Sequence, residues 1–334
     1  MTELILHIGF PKTGTSTVQS QLERYNWYLG KRNGKSEKTD LRPFVRSFFG
    51  LNQIQEDPED SLTSLLGNMS CEEAAFYSDE DLVLRAPVIN GGAAFITWPF
   101  SRMRFVWPDD LSRIPFITKL NHLNAALKSE NINLKLVITI RRQWCLIPSL
   151  YYQRSDRNLF AGQPDFDSQL EQVTHKSAYF NFNAWYNAIN DVLRPESVLF
   201  LPLEMMNKNE YWSRLEHFLG KNICLSKELK KLNEAPRLGL QEGRYPIKRI
   251  SDLTLKAALK QVAKSPRFTL AQFSNSAMKC SLLRARPLSI NSYGKGGRTF
   301  CMSMSQKNEL MLCYKKQNKI LSEKLRIDLP SLGY

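Results

Sequence analysis

Long hydrophobic runs are the first thing missing from this 334-residue chain. No stretch approaches the ~18 to 20 uncharged apolar residues that a membrane span needs. The apolar start "LILHIGF" is too short and too soon interrupted for a signal peptide, so a cytosolic protein is expected. Cysteines are few and scattered: Cys71, Cys145, Cys224, Cys280, Cys301 and Cys313 form no C-x-x-C pair and no metal spacing. That excludes a disulfide framework and points to a reduced compartment. Only four histidines occur, none spaced with cysteines as in a zinc site, and no metal is expected. Repeats and low-complexity tracts are absent too, which removes solenoids and disordered linkers from consideration.

Acidic residues are scarce in one region. Between Ser226 and Phe300 there are 16 Lys and Arg against 4 acids, which accounts for +12 of the chain's formal +14. Such a local excess suits an anionic partner: an acidic glycan, a multiply charged nucleotide or nucleic acid. A plain solvated basic face is the bland alternative. What the chain does have is core material, with 43% hydrophobic residues and 11% aromatics, enough for one large globular domain.

Strand and helix signals alternate. Residues 3 to 8 read as a buried strand and Ser16 to about Tyr25 as a helix. "AAFYS" (74 to 78) reads as a strand and "FITKLNHLNAALKSE" (116 to 130) as a helix. "LKLVITI" (134 to 140), β-branched and uninterrupted, is the clearest central strand, and "SVLFLPL" (197 to 203) is a second. An amphipathic helix closing on Gly220 follows, and a long helix spans about Ser305 to Lys324. The pattern predicts an α/β fold, a P-loop-type parallel sheet flanked by helices. Residues 1 to 334 form a single domain on this reading, with the basic, irregular or helical 226 to 300 segment as a late insertion or an acceptor-side subregion.

Between the first strand and its helix lies "GFPKTGTS". Against the nucleotide-binding pattern G-x-x-x-x-G-K-[ST] it matches at Gly9, Gly14 and Ser16, but Thr15 holds the lysine position and Lys12 comes three residues early. Loop amides and the positive end of the next helix would still hold an anion, with Lys12 reaching it from inside the loop. At the end of the central strand stands "RRQWCLIPSLYYQ". Its Arg141 points toward the crevice where α/β sheets bind ligands, and Arg141 and Ser149 supply a guanidinium fork and a hydroxyl for phosphate. Pro148 is awkward inside a helix, so a kink there, or a helix beginning at Pro148, is expected. Trp144 is open between stacking on a purine and core packing, and Tyr151 and Tyr152 between packing and a polar contact.

These residues resemble a known family. "PKTGTSTVQ" is similar to the 5′-phosphosulfate loop of sulfotransferases, P-K-[ST]-G-T-[ST], and its tail to the bacterial form K-T-G-T-T-x-x-Q. Arg141, Ser149 and Tyr151 fit that family's 3′-phosphate pattern R-x-x-x-x-x-x-x-S-x-Y. "YGKGGRTF" (293 to 300) looks like its glycine-rich basic loop, and residues 318 to 334 like the bacterial C-terminus. The likeness covers 5 to 22, 134 to 153, 197 to 220 and 293 to 334; the 226 to 292 stretch has no counterpart in it.

The resemblance implies that Lys12, Thr13, Gly14, Thr15, Ser16 and Thr17 surround the 5′-phosphate and sulfuryl group of 3′-phosphoadenosine 5′-phosphosulfate (PAPS), with Lys12 nearest the bridging oxygen. It implies Arg141 and Ser149 at the 3′-phosphate, Lys295, Gly296, Gly297 and Arg298 as further nucleotide contacts, and 3′,5′-diphosphoadenosine as product. For a general base the family uses a histidine or a glutamate. Glu80, in a Ser78-x-Glu80 spacing like the bacterial S-x-E, is the leading choice beside Asp79, Asp81 and the histidines; His7, inside the first strand, reads as a core residue. The expected function is sulfuryl transfer from PAPS to a hydroxyl acceptor, a carbohydrate or glycan precursor, possible acidity of which would match the basic segment. The alternatives are an ATP-dependent P-loop small-molecule kinase and a non-catalytic nucleic-acid binder; no nucleic-acid motif favours the latter.

Overall fold

The computed structural model describes residues 2–10, 13–25, 27–28, 45, 49, 74–78, 111, 115–155, 161–224, 244–247 and 299–334. Strands β1 (Thr2–Gly9), β2 (Ala74–Ser78), β3 (Ile132–Ile140) and β4 (Val198–Pro202) form one sheet in the order β2-β1-β3-β4, parallel throughout. The α/β expectation is met. Strands buried on both faces read as continuous apolar runs, and Leu4, Leu6, Ile8, Leu136, Val137 and Ile138 are each at most 1% exposed. Full burial of each such side chain contributes ~1.5 to 3 kcal/mol.

Helices α1 (Thr15–Leu22), α2 (Pro115–Ser129), α3 (Gln143–Arg154), α4 (Gln163–Lys176), α5 (Phe182–Asn190), α6 (Asn209–Leu219) and α7 (Met304–Leu325) flank it. Helix α6 ends as its sequence predicts, on Gly220 in the left-handed region at φ 61°. Helix α7 opens on a capping box: Ser303 Oγ accepts from Gln306 N–H, and the Gln306 side chain accepts from Ser303 N–H. It is then bound to its neighbours by polar pairs. Gln143 donates to Asn318, Asn183 donates to Gln317, and the Tyr314 hydroxyl lies 3.2 Å from the Val173 and Ser177 carbonyls. Among the described residues no helix is long and apolar enough to cross a membrane.

Of the two alternatives at Pro148, one is excluded. Helix α3 does not begin at Pro148; it starts at Gln143 and carries Pro148 inside it. The Arg142 carbonyl accepts from Cys145 and Leu146 N–H, so the first turn is already closed before the proline is reached. Most of the basic 226 to 300 segment lies outside the described residues, but a short stretch within it pairs with its C-terminal end. β5 (Arg244–Pro246) pairs antiparallel with β6 (Thr299–Cys301), and Tyr245 stacks on Phe300 at 5.3 Å.

Candidate active site

In the order β2-β1-β3-β4 the chain passes from β1 to one neighbour and then back to the other, so β1 and β3 flank a topological switch point, the crevice where open α/β sheets hold ligands. Gly9, the last residue of β1, is level with Thr139 of β3, which sets the loop after β1 beside the Arg141 turn. This is the juxtaposition that the two motifs require.

The loop is built by close approach. A Cβ on Gly9 would lie 2.5 Å from Thr13 Oγ1 and 2.7 Å from Thr139 Oγ1, and would also strike the Thr15 methyl. Gly14 caps α1 at φ 82°, and a Cβ there would lie 2.6 Å from Leu203 and 2.8 Å from Met206. Both positions therefore demand glycine. A glycine cap lends no side-chain oxygen to the first turn of α1, whose amide end is the kind of helix terminus that accepts an anion.

Thr13 is spent on shape. It is fully buried, its N–H donates to the Phe10 carbonyl, and its hydroxyl bonds Phe10 O and, at 2.7 Å, Thr139 Oγ1. Thr15 and Thr17 are buried as well, while Ser16 is half-buried. Lys12 falls outside the described residues, as do Glu80, Asp79, Asp81, Lys295, Gly296, Gly297 and Arg298.

Across the crevice, Arg141 Nη1 donates to Ser149 Oγ at 3.4 Å. Eight residues apart in sequence, the two meet because α3 turns back over the strand end. Ser149 is 5% exposed and Arg141 half-buried. Below it, Glu204 Oε1 accepts from both the N–H and Nε of Arg142 at 3.1 Å.

The structure gives each of the three ambiguous aromatics its surroundings. Trp144 donates Nε1–H to the Gly333 carbonyl at 2.9 Å, with Lys307 Nζ at 3.8 Å and Arg142 at 4.5 Å from its ring centre; it anchors the C-terminal residues. Tyr151 does both things considered for it. Its ring packs on Phe166 and Phe300, while its hydroxyl donates toward Asp165 at 2.8 Å and accepts from Gly162 N–H; burial pushes its pKa up, so it stays a phenol. Tyr152 is buried. Through Phe300 and the paired bonds between Gln163 and Cys301, β6 is fixed beside α3, directly after the glycine-rich basic motif.

His7 is a core residue. It is fully buried, its Nδ1 lies 2.8 Å from Ser78 Oγ, and burial holds its pKa down to about 3. Gln19, the glutamine of the loop motif, donates to both the carbonyl and hydroxyl of Ser78 at 3.1 Å. The motif's glutamine thus ties α1 to the end of β2, two residues before Glu80. His122 is exposed on α2.

Sequence reasoning missed Thr139, Glu204 and Tyr334. A threonine as the next-to-last residue of a strand that ends at the crevice is a legible signal; Glu204 and Tyr334 acquire meaning only once the strand ends are side by side.

No family profile matches the sequence, and neither does any curated protein. Solved structures do. A sulfotransferase from Alicyclobacillus acidocaldarius is 14% identical, with 86% of this chain and 97% of that one covered and a TM-score of 0.40. The sulfotransferase domain from the curacin biosynthetic pathway is 11% identical over 72% and 81%, with a TM-score of 0.37. Retinol dehydratase in complex with retinol and PAP is 12% identical over 97% and 82%, with a TM-score of 0.32. Likenesses this distant leave the functional reading to the chain's own residues.

Proposed function

We propose that the protein is a PAPS-dependent sulfotransferase acting on a hydroxyl. The observation that carries this reading is the pairing of Arg141 with Ser149 at the end of β3, beside the glycine-bound loop after β1. A nucleotide with phosphates on both its 3′ and 5′ oxygens needs two separate anion-binding corners, and the switch point offers two. The residues fit such a ligand: the Gly14 cap and α1 amides on one side, a guanidinium and a hydroxyl on the other.

The chemistry asks for donors where charge develops. Sulfuryl transfer resembles phosphoryl transfer with one charge fewer on the moving group, and negative charge builds on the leaving phosphate. Lys12 and the loop amides would neutralise that charge, and an early lysine serves the bridging oxygen better than one beyond the second glycine. Arg141 and Ser149 hold the other phosphate and fix the donor's orientation. Glu80, following Ser78 by two residues, would take the acceptor's proton. The acceptor class we propose is a sugar or polysaccharide hydroxyl on an anionic carrier, because the basic 226 to 300 segment would attract one.

A melting experiment tests the donor assignment. 3′,5′-Diphosphoadenosine at a hundredfold over its dissociation constant is expected to stabilise the fold by ~2.7 kcal/mol, with ATP and magnesium doing far less. Equal stabilisation by both would sink the sulfotransferase reading and favour a kinase. Labelled donor offered to a panel of neutral and acidic glycans then tests the acceptor class, with transfer to acidic members expected.

A further inference from the structure

The most elaborate polar construction outside the two anion corners lies directly beneath one of them. Helix α7 ends at Arg326, itself in the left-handed region at φ 53°, and the chain folds back on itself. Leu329 is fully buried and bonded to Ser322, Gly333 N–H donates to the Pro330 carbonyl, and Tyr334 N–H donates to Leu329 O. Residues 333 and 334 are thereby delivered to the turn between β3 and α3.

Their contacts there are specific. The Tyr334 hydroxyl donates to Glu204 Oε2 at 2.7 Å, and the ring, 6% exposed, packs edge-on against Phe182. The Gly333 carbonyl takes the Trp144 N–H, and a Cβ at Gly333 would crowd Arg142 at 3.2 Å. Burial and the Glu204 charge both push the Tyr334 pKa well up, so it remains a donor across the working pH range.

Glu204 spends its two oxygens on two jobs. One accepts from Tyr334; the other accepts from the Arg142 backbone N–H and from its Nε. The Arg142 N–H belongs to the peptide joining Arg141 to Arg142, so pinning it fixes the backbone torsion that aims the Arg141 side chain. The Arg142 carbonyl, on the next peptide, starts α3. The carboxylate also pairs with the Arg142 guanidinium at 3.1 Å.

We propose that Glu204 is a positioning residue for the Arg141–Ser149 corner, and that Tyr334 acts through it, so that the terminal residues of the chain set the protein's discrimination for a 3′-phosphate. This rests on the donor reading above and adds to it a source of specificity remote from the ligand. A group that only stabilised the fold would weaken all nucleotides alike. One that aims Arg141 weakens those with a 3′-phosphate.

The test is titration calorimetry of 3′,5′-diphosphoadenosine and 5′-AMP on the wild type, Tyr334→Phe, Glu204→Gln and the double variant, each melted first to establish that it is folded. Tyr334→Phe, which removes one hydroxyl and keeps the ring, is expected to weaken the diphosphate about three- to tenfold and 5′-AMP less than twofold. Glu204→Gln is expected to cost about tenfold or more for the diphosphate alone. The double variant should match Glu204→Gln within about twofold, because the tyrosine works through the glutamate. Unchanged ratios of the two nucleotides in both variants, or additive losses, would overturn the inference. Tyr334→Phe decides the matter by itself if Glu204→Gln does not fold. A wild-type protein that binds the two nucleotides equally would instead overturn the donor reading, and this inference with it.

Discussion

The two proposed anion corners of the crevice are built by different means. After β1 the loop is shaped by its backbone, with Gly9 and Gly14 allowing close approach, Thr13 locking the turn to Thr139 and the helix end supplying amides, and Lys12 is proposed to add its charge to them. After β3 the work falls to a side-chain charge, Arg141, steadied by Ser149 and by the turn that Glu204 pins. A corner made of fixed dipoles suits a charge that appears during reaction, since nothing must reorganise as it forms. A corner made of guanidinium suits a charge that is permanent. On the proposed function, the difference would assign transition-state stabilisation to the first corner and ground-state binding to the second.

Substitutions can break that division. The largest effect is expected from Lys12→Ala: removing a donor from the reacting phosphate costs ~2.7 to 4 kcal/mol in the transition state, so kcat should fall by roughly two to three orders of magnitude while diphosphate affinity changes little. Steady-state kinetics beside equilibrium binding would reveal a loss that instead falls on affinity. Next comes Arg141→Ala, where losing a charge-assisted hydrogen bond costs ~1.5 to 3 kcal/mol. Diphosphate binding should weaken accordingly and 5′-AMP or adenosine 5′-phosphosulfate far less; equal losses would mean that Arg141 does not serve the 3′ side.

A smaller effect concerns the strand end that leads toward Glu80. With its folded pKa held at about 3 against an ordinary 6.5, His7 stays neutral in the fold while the unfolded chain takes up a proton, so stability falls as pH drops from 6.5 toward 3 and is insensitive to this group above that window. The slope approaches ~1.4 kcal/mol per pH unit. Urea melts of wild type and His7→Asn at pH 7, 6 and 5 should show this acid sensitivity reduced in the variant, and parallel curves would contradict it. Smallest of all is Thr139→Val, which removes the tie between the corners and should cost ~0.5 to 1.5 kcal/mol of stability without altering the ratio of diphosphate to 5′-AMP affinity.

The sheet was legible because burial on both faces writes uninterrupted apolar runs: "AAFYS" is β2 to the residue, and β1, β3 and β4 differ from expectation only at their ends. Helix α5 was overlooked, although Asn181 accepts from Ala184 N–H as its cap and Phe182, Trp185 and Ile189 keep helical spacing. Pro148 left open whether the helix passes through it or begins there, and the Arg142 carbonyl, which accepts from Cys145 and Leu146 N–H, starts the helix ahead of it. Within the candidate site, Arg141 and Ser149 were legible from their eight-residue spacing across the turn from β3 into α3. Glu204 and Tyr334 were not, since 62 and 192 residues separate them from Arg142 and nothing local marks the meeting. Lys12, Glu80 and residues 295 to 298 lie outside the described residues, and for them the sequence reading stands as proposed.

The central claim is that one doubly phosphorylated nucleoside spans both corners. A crystal structure with 3′,5′-diphosphoadenosine tests it most directly. The expected result places the 5′-phosphate on the amides at Gly14 to Thr17 and the 3′-phosphate within hydrogen-bonding distance of Arg141 and Ser149. A nucleotide seated at one corner only, with its other phosphate in solvent and the opposite corner untouched, would contradict the account.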